Sequence, residues 1–285
     1  MRIDLSGKTA LVTGSTQGIG AAIATGLARA GARVGVNGRK EGSVTTAIER
    51  MEAERAERDE RAAAEQADGA RADGAPSRFD LVAVPGDVST EEGCEQVLRA
   101  LPHVDVLVNN LGIFGATPAL DITDDEWRRY FEVNVLAAVR LTRAYLPGMR
   151  ERGWGRIQYI ASDSAIVVPA EMIHYGMTKT ALLAVSRGFA KEAAGSGVTV
   201  NSVIAGPTHT GGVEEFVYQL VDRELPWEEA QREFMRRHRP QSLLQRLIEP
   251  EEIANMVVYL SSPLASATTG GALRVDGGYV DSILP

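Results

Sequence analysis

The chain has 285 residues, 44% of them hydrophobic and 24% charged, a balance that suits a globular protein with a large core. Its formal charge of −8 argues against a nucleic-acid or anionic-membrane partner, since either calls for a basic face. The single cysteine, Cys94, rules out an intrachain disulfide framework and reads as a packing residue in a reducing compartment. No run of about 18 apolar residues reads as a membrane span. The opening MRIDLSGKTALVTG lacks an apolar signal-peptide core, so a cytoplasmic location is expected.

Six short β-branched runs follow one another along the chain: TALVTG (9–14), RVGVNG (33–38), DLVAVPGD (80–87), VDVLVNN (104–110), GRIQYIAS (155–162) and VTVNSVIAG (198–206). Helical periodicity fills the segments between them. This βα alternation predicts an α/β fold with a doubly wound, mostly parallel sheet and helices on both faces, in one domain spanning 1–285. Ligands of such sheets sit at the C-terminal strand ends. One segment, 49–78, breaks the rhythm. It is dense in Ala, Glu and Arg and nearly free of large apolar residues after Met51, so its first part predicts a solvated helix and its Gly-Ala-Asp-Pro part an exposed linker.

The first predicted strand runs into TGSTQGIG, which contains Gly14, Thr16, Gln17, Gly18, Ile19 and Gly20 ahead of the helical AAIATGLARAG. Glycines there permit a tight turn and let backbone N–H groups approach a pyrophosphate at the positive end of a helix. The position predicts a dinucleotide loop, although the spacing differs from the G-x-G-x-x-G fingerprint. Thr9 and Thr13 read as strand residues. Further on, HYGMTK places Tyr175 and Lys179 four positions apart, side by side on one helix face. Alone, that pair also fits an ordinary amphipathic surface.

Taken in order, TGSTQGIG, GDVS, NNLG, the asparagine of EVNV, a serine thirteen residues before YGMTK, and DGGYV closely resemble the classical short-chain dehydrogenase/reductase family. The resemblance covers nearly the whole chain apart from 49–78, and it implies a Rossmann-like fold. It implies that Tyr175 is the proton donor and acceptor for a carbonyl or alcohol, that Lys179 favours the ionised phenol, and that Ser162 holds the carbonyl oxygen, with Ser164 as the competitor. Asn134 completes the catalytic set by helping to hold a water in a proton relay. Asp87 and Val88 match the pair that contacts adenine, Asn109 and Gly112 the turn beneath the cofactor, and Gly206 and Thr208 the segment beside the nicotinamide, with Pro207 and Thr210 flanking. At the second strand end, Gly38 stands where relatives that prefer NAD often carry an acid, and Arg39 follows it. An arginine pairs with a 2′-phosphate where a carboxylate would repel it, so NADP(H) is favoured, with NAD(H) as the alternative.

The implied activity is that of an NADP(H)-dependent carbonyl reductase or alcohol dehydrogenase acting on a small-molecule ketone, aldehyde or alcohol, such as a 3-oxoacyl or other medium-sized apolar carbonyl. The same fold also serves dehydration or epimerisation through transient oxidation, and a cofactor-sensing protein without turnover is the reading from outside enzymology. Leu111 and Ala205 depart from the residues usual in the family. His209 lies beside the expected site as either a substrate contact or a surface-loop residue. His174 adjoins Tyr175 but points about 100° away from it. Residues 209–250 match the variable lid, where Phe216, Val217, Leu220, Trp227, Phe234 and Met235 either face substrate or pack a helix pair. MRRHR (235–239) reads as a solvated charge run or an anion contact. Relatives commonly form dimers or tetramers through the helices after NNLG and around the tyrosine, so a homodimer or homotetramer is expected.

Overall fold

The computed structural model describes residues 3–66 and 78–283. The expected linker falls mostly on residues 67–77, outside the described residues.

Seven strands form one sheet: β1 (Thr9–Val12), β2 (Arg33–Gly38), β3 (Asp80–Pro85), β4 (Val106–Asn109), β5 (Gly155–Ser162), β6 (Val198–Ala205) and β7 (Ala272–Val275). Their order is β3-β2-β1-β4-β5-β6-β7, and every neighbouring pair is parallel. The order reverses between β1 and β4, which opens a crevice above their C-terminal ends. Each of the six expected strands is present, and β7 is a seventh that the sequence did not announce. Its ALRV is four residues long and only partly buried at the sheet edge, so it carries little of the continuous apolar signature of a strand covered on both faces.

Strand alternation sorts the core into two layers. Ala10 and Val12 of β1 and Val34 and Val36 of β2 pack with α1 (Gly18–Arg29), α2 (Glu41–Gln66) and α9 (Pro250–Ser261). Leu11, Val84, Leu107 and Ile157 face the other way, onto α3 (Glu91–Ala100), α5 (Ala137–Glu151) and α6 (Ile173–Glu192). Each fully buried Leu, Ile or Val contributes about 1.5–3 kcal/mol of transfer free energy, which fixes strand register because a one-residue slip would turn these side chains out. Cys94 packs in the second layer, as its lone occurrence implied.

α2 explains the charged segment that begins at 49. Val44, Ala47 and Met51 are buried against β2, and beyond them Arg55 bridges Glu52 at 3.0 Å and Asp59 at 2.7 Å. The helix is anchored by its first half and laced by i,i+3 and i,i+4 pairs in its second. Between β6 and β7, α7 (Gly211–Leu220) and α8 (Trp227–His238) pack on each other around Val217, Ala230, Phe234, Met235 and Leu247. α4 (Asp124–Phe131) opens with a Thr123 capping box and runs through a π-helical turn, Glu132–Leu136, into α5. None of the described helices is long and apolar enough to cross a membrane.

Candidate active site

A cleft of about 850 Å³ lies over the β1/β4 crevice, walled on one side by the glycine loop and on the other by α7 and α8. Gly14 and Gly18 adopt φ of +61° and +56°, the left-handed region that side chains resist. A Cβ on Gly20 would meet the Gly14 carbonyl at 2.4 Å. The loop therefore needs these glycines to lay bare backbone at the start of α1, where Gln17 caps the helix without a side-chain bond and leaves N–H groups for an anion. Thr16, Gln17 and Ile19 line the same wall. This geometry fits a dinucleotide.

Three residues that sequence reasoning did not single out hold the loop in place. Asn110 donates Nδ2 to the carbonyls of Thr13 and Gly14 at 2.9 and 3.1 Å. Buried Asn37 accepts from the Gly14 N–H at 3.2 Å while donating to Val84 and Gly86, and Ser15 accepts from the Asn37 N–H. Thr13 is a structural strand residue, its hydroxyl accepting from the N–H groups of Asn110 and Leu111 at 2.9 Å each. Polar residues inside an apolar strand such as VGVNG were the available signal, because a buried amide there must satisfy its bonds locally.

The far end of the cleft holds Asp87 and an exposed Arg39 at the mouths of β3 and β2. A Cβ on Gly38 would sit 2.6 Å from Thr16 Cγ2, so an acid at this position would displace the glycine loop's own side chain. Two expected contacts fall elsewhere. Val88 is 2% exposed and packs with Cys94 and Val97, because its strand-end turn directs it inward. Asn109 is 4% exposed and donates to Thr142 Oγ1 at 3.3 Å, since alternation along β4 turns it toward α5; its neighbour Asn110 takes the cleft side.

The catalytic candidates converge at the ends of β5 and α6. Ser162 closes β5, donating its hydroxyl to Asp163 Oδ1 at 2.9 Å and accepting from the Ser164 N–H at 3.2 Å. Tyr175 faces the cleft, half-buried, with Phe114 edge-on at 6.3 Å. Lys179, one turn later, is buried and donates Nζ to the Ile160 carbonyl at 2.8 Å. Gly112 lies against this lysine and Asn134: a Cβ there would be 3.4 Å from Nζ and 3.5 Å from Asn134 Oδ1. Asn134 sits in the π-helical turn, clasping both backbone groups of Ile113 at 2.8 and 3.0 Å and donating to Thr178 at 3.0 Å. Its amide is committed to holding the loop rather than open to the cleft. Gly206 and Thr208 line the far side; a Cβ on Gly206 would strike Asp276 at 2.7 Å.

Burial dominates the electrostatics of the Tyr175–Lys179 pair. Burial pushes the Tyr175 phenol above its usual 10, and a hydrogen bond with Ser162 offsets only part of that rise. Lys179 is desolvated as well, its amine lowered to about 8 and donating to a backbone carbonyl, with Nζ 5.5 Å from the phenol ring centre. In the ligand-free chain the phenol keeps its proton at neutral pH.

The lid's histidine is a fastening. His209 Nε2 contacts Glu214 at 2.8 Å, and its ring stacks on Trp227 at 5.1 Å, which ties the two lid helices together. His174 is fully buried beside Tyr130 at 4.0 Å, away from the cleft. In the basic run, Arg236 and Arg237 pair with Glu233 on the surface, whereas Arg239 turns into the cleft.

The family model for short chain dehydrogenase matches residues 8–77, and that described as Enoyl-(Acyl carrier protein) reductase matches residues 56–280. The chain is 49% identical over 284 residues to the uncharacterized oxidoreductase YvaG of Bacillus subtilis, covering 99% of this chain and 100% of that protein. It is 32% identical over 283 residues to D-beta-hydroxybutyrate dehydrogenase of Cupriavidus necator, covering 97% and 99%. The crystal structure of L-sorbose reductase from Gluconobacter frateurii complexed with NADPH and L-sorbose matches with a TM-score of 0.83 at 31% identity, covering 99% of this chain and 100% of that one. The fold and the full-length matches show that the chain belongs to the classical short-chain dehydrogenase/reductase family of oxidoreductases.

Proposed function

We propose that the protein is an NADP(H)-dependent carbonyl reductase, or alcohol dehydrogenase in reverse. The observation that carries this reading is the meeting of Ser162, Tyr175 and Lys179 at one end of a cleft whose other end holds a glycine loop and Arg39. The cofactor, when bound, supplies or accepts a hydride at the substrate carbon. Tyr175 gives its phenol proton to the carbonyl oxygen, and the raised pKa keeps that proton available at neutral pH. Ser162 donates its hydroxyl hydrogen to the same oxygen and stabilises the charge that develops there. Lys179, lowered to about 8, exchanges a proton near neutrality and so can return one to the phenol a turn away. One carbonyl, one hydride and one proton become one alcohol, and the reverse sequence returns them.

Arg39 supports NADP(H), since its guanidinium is free to pair with a 2′-phosphate and no carboxylate stands at Gly38 to repel one. The L-sorbose reductase structure, which contains NADPH, is consistent with it. The test is a panel of ketones, 3-oxoacyl thioesters, sugars and steroids, each assayed with NADPH and NADH. Consumption of NADPH at least tenfold more efficient than of NADH is expected. Equal efficiency would remove the cofactor preference, and product formation without net cofactor consumption would replace reduction by internal oxidation and re-reduction.

A further inference from the structure

Behind the cleft wall stands a charged contact that the chemistry above does not use. Arg140, on α5, reaches two groups that line the cleft, Ser89 and Glu132. Its Nη1 donates to the Ser89 carbonyl at 3.1 Å, in the loop after β3, and its Nη2 donates to the Glu132 carboxylate in the π-helical turn. The arginine side chain is 23% exposed, so the contact is shielded from the water that weakens a surface ion pair.

Its two ends lead to different parts of the site. Asp87 Oδ1 accepts from the Ser89 N–H at 3.1 Å and from the Ser89 hydroxyl at 2.6 Å, which joins this loop to the mouth where Arg39 lies. At the other end, Glu132 stands two residues before Asn134, whose amide clasps Ile113 and donates to Thr178, three residues after Tyr175. Residues eight apart on a regular α-helix are turned about 80° from each other. The π-helical turn takes up part of that rotation and lets Glu132 and Arg140 meet. The backbone irregularity that carries Asn134 therefore also makes the link.

We propose that Arg140 is a positioning residue, a strut that carries occupancy of the adenosine end of the cleft to the π-helical turn and so steadies Asn134. The inference rests on the reductase reading above, in which Arg39 takes the 2′-phosphate and the adenosine lies beside Asp87. Arg140 itself touches neither substrate nor cofactor. When the Ser89 loop is held by adenosine, one end of the guanidinium is fixed; Glu132 is then fixed by the other end, and the turn loses freedom. Binding energy from a group remote from the reacting carbon thereby orients the reacting end, which raises kcat as well as affinity.

The test uses adenosine 2′,5′-bisphosphate, which carries only the adenosine half of NADP(H), and amide hydrogen exchange of the full chain. In the parent it is expected to slow exchange at 86–93 and also, at a distance, at 132–137, each by about fivefold or more. In Arg140→Met the protection at 86–93 stays and that at 132–137 falls below about twofold. If that variant fails to fold, Glu132→Gln, on a partly exposed side chain, loosens the strut from its other end and should give the same split. Turnover gives a second reading. Arg140→Met should lower kcat about tenfold with NADPH but less than about twofold with reduced nicotinamide mononucleotide, which has no adenosine to transmit. An equal loss with both would mark a merely structural residue and overturn the strut, as would full protection at 132–137 in Arg140→Met. Bisphosphate that protects 86–93 of the parent without reaching 132–137 removes the strut and leaves the reductase reading; bisphosphate that protects no part of the chain defeats both.

Discussion

Asn134 and Thr178 are joined by a 3.0 Å hydrogen bond between their side chains, and the Thr178 hydroxyl passes its own hydrogen to the Tyr175 carbonyl at 2.7 Å. Through this link the π-helical turn and the loop after β4 set where the first turn of α6 stands. The height of the Tyr175 phenol in the cleft is therefore governed by residues that never touch substrate.

Thr178→Val removes both bonds without changing the side chain's outline. Leaving buried polar groups unpaired costs about 1–3 kcal/mol, and a small displacement of a proton donor carries a larger effect on rate than on binding. We expect kcat to fall about tenfold or more, the NADPH dissociation constant to stay within threefold, and Thr178→Ser to restore kcat. A valine variant with the parent's kcat would show that the link does not position the tyrosine.

Arg39→Ala should raise KM for NADPH by about 10- to 100-fold, the range expected for one or two charge-assisted hydrogen bonds of roughly 1.5–3 kcal/mol. KM for NADH should change less than threefold. Steady-state kinetics with both cofactors checks it, and a parallel loss with both would mean that Arg39 does not read the 2′-phosphate.

Lys179 is lowered to about 8 by burial. Its ammonium form therefore prevails below about pH 8 and is lost above it. Since kcat/KM for the cofactor reports groups of the free enzyme, its pH profile should descend with an apparent pKa near 8. Lys179→Arg, which stays charged, should move that limb up beyond the measured range. A limb that stays in place would belong to another group.

His174 gives a stability prediction. Burial lowers its pKa below the ordinary 6.5, with Glu126 opposing weakly, and neither ring nitrogen has a partner. The unfolded chain then binds a proton more readily than the folded one. Stability is full above pH 6.5 and declines as the pH falls through the window between 6.5 and the lower folded value. His174→Phe removes this contribution, so Tm between pH 7.5 and 5 should fall less steeply than in the parent. Parallel Tm curves would show that His174 does not titrate on unfolding.

The inner strands were legible because they are covered on both faces and so read as unbroken apolar runs, and edge strand β3 still shows six residues with alternating valines; β7, four residues long at the other edge, was not legible. Tyr175, Ser162 and Lys179 were picked out by the order of motifs that resembles the family, since the i,i+4 pair alone also fits an ordinary helix face. Asn109 and Val88 were misplaced by a single residue's rotation. In NNLG nothing in the letters says which asparagine the strand turns toward the cleft, and in GDVS nothing says that the valine goes inward. Asn134 was named, but not that a π-helical turn would commit its amide to Ile113. Arg239 hid in a run whose neighbours are surface ion pairs, since leaving the helix after His238 is what separates it from them.

Delivery of the proton by Tyr175 is checked by Tyr175→Phe. With NADPH and the best carbonyl of the panel, the variant should lose at least about a thousandfold in kcat, the upper part of what a positioned acid contributes, while titration of NADPH fluorescence shows a dissociation constant within threefold of the parent's. A variant that binds NADPH and still reduces the carbonyl within tenfold of the parent would contradict the account.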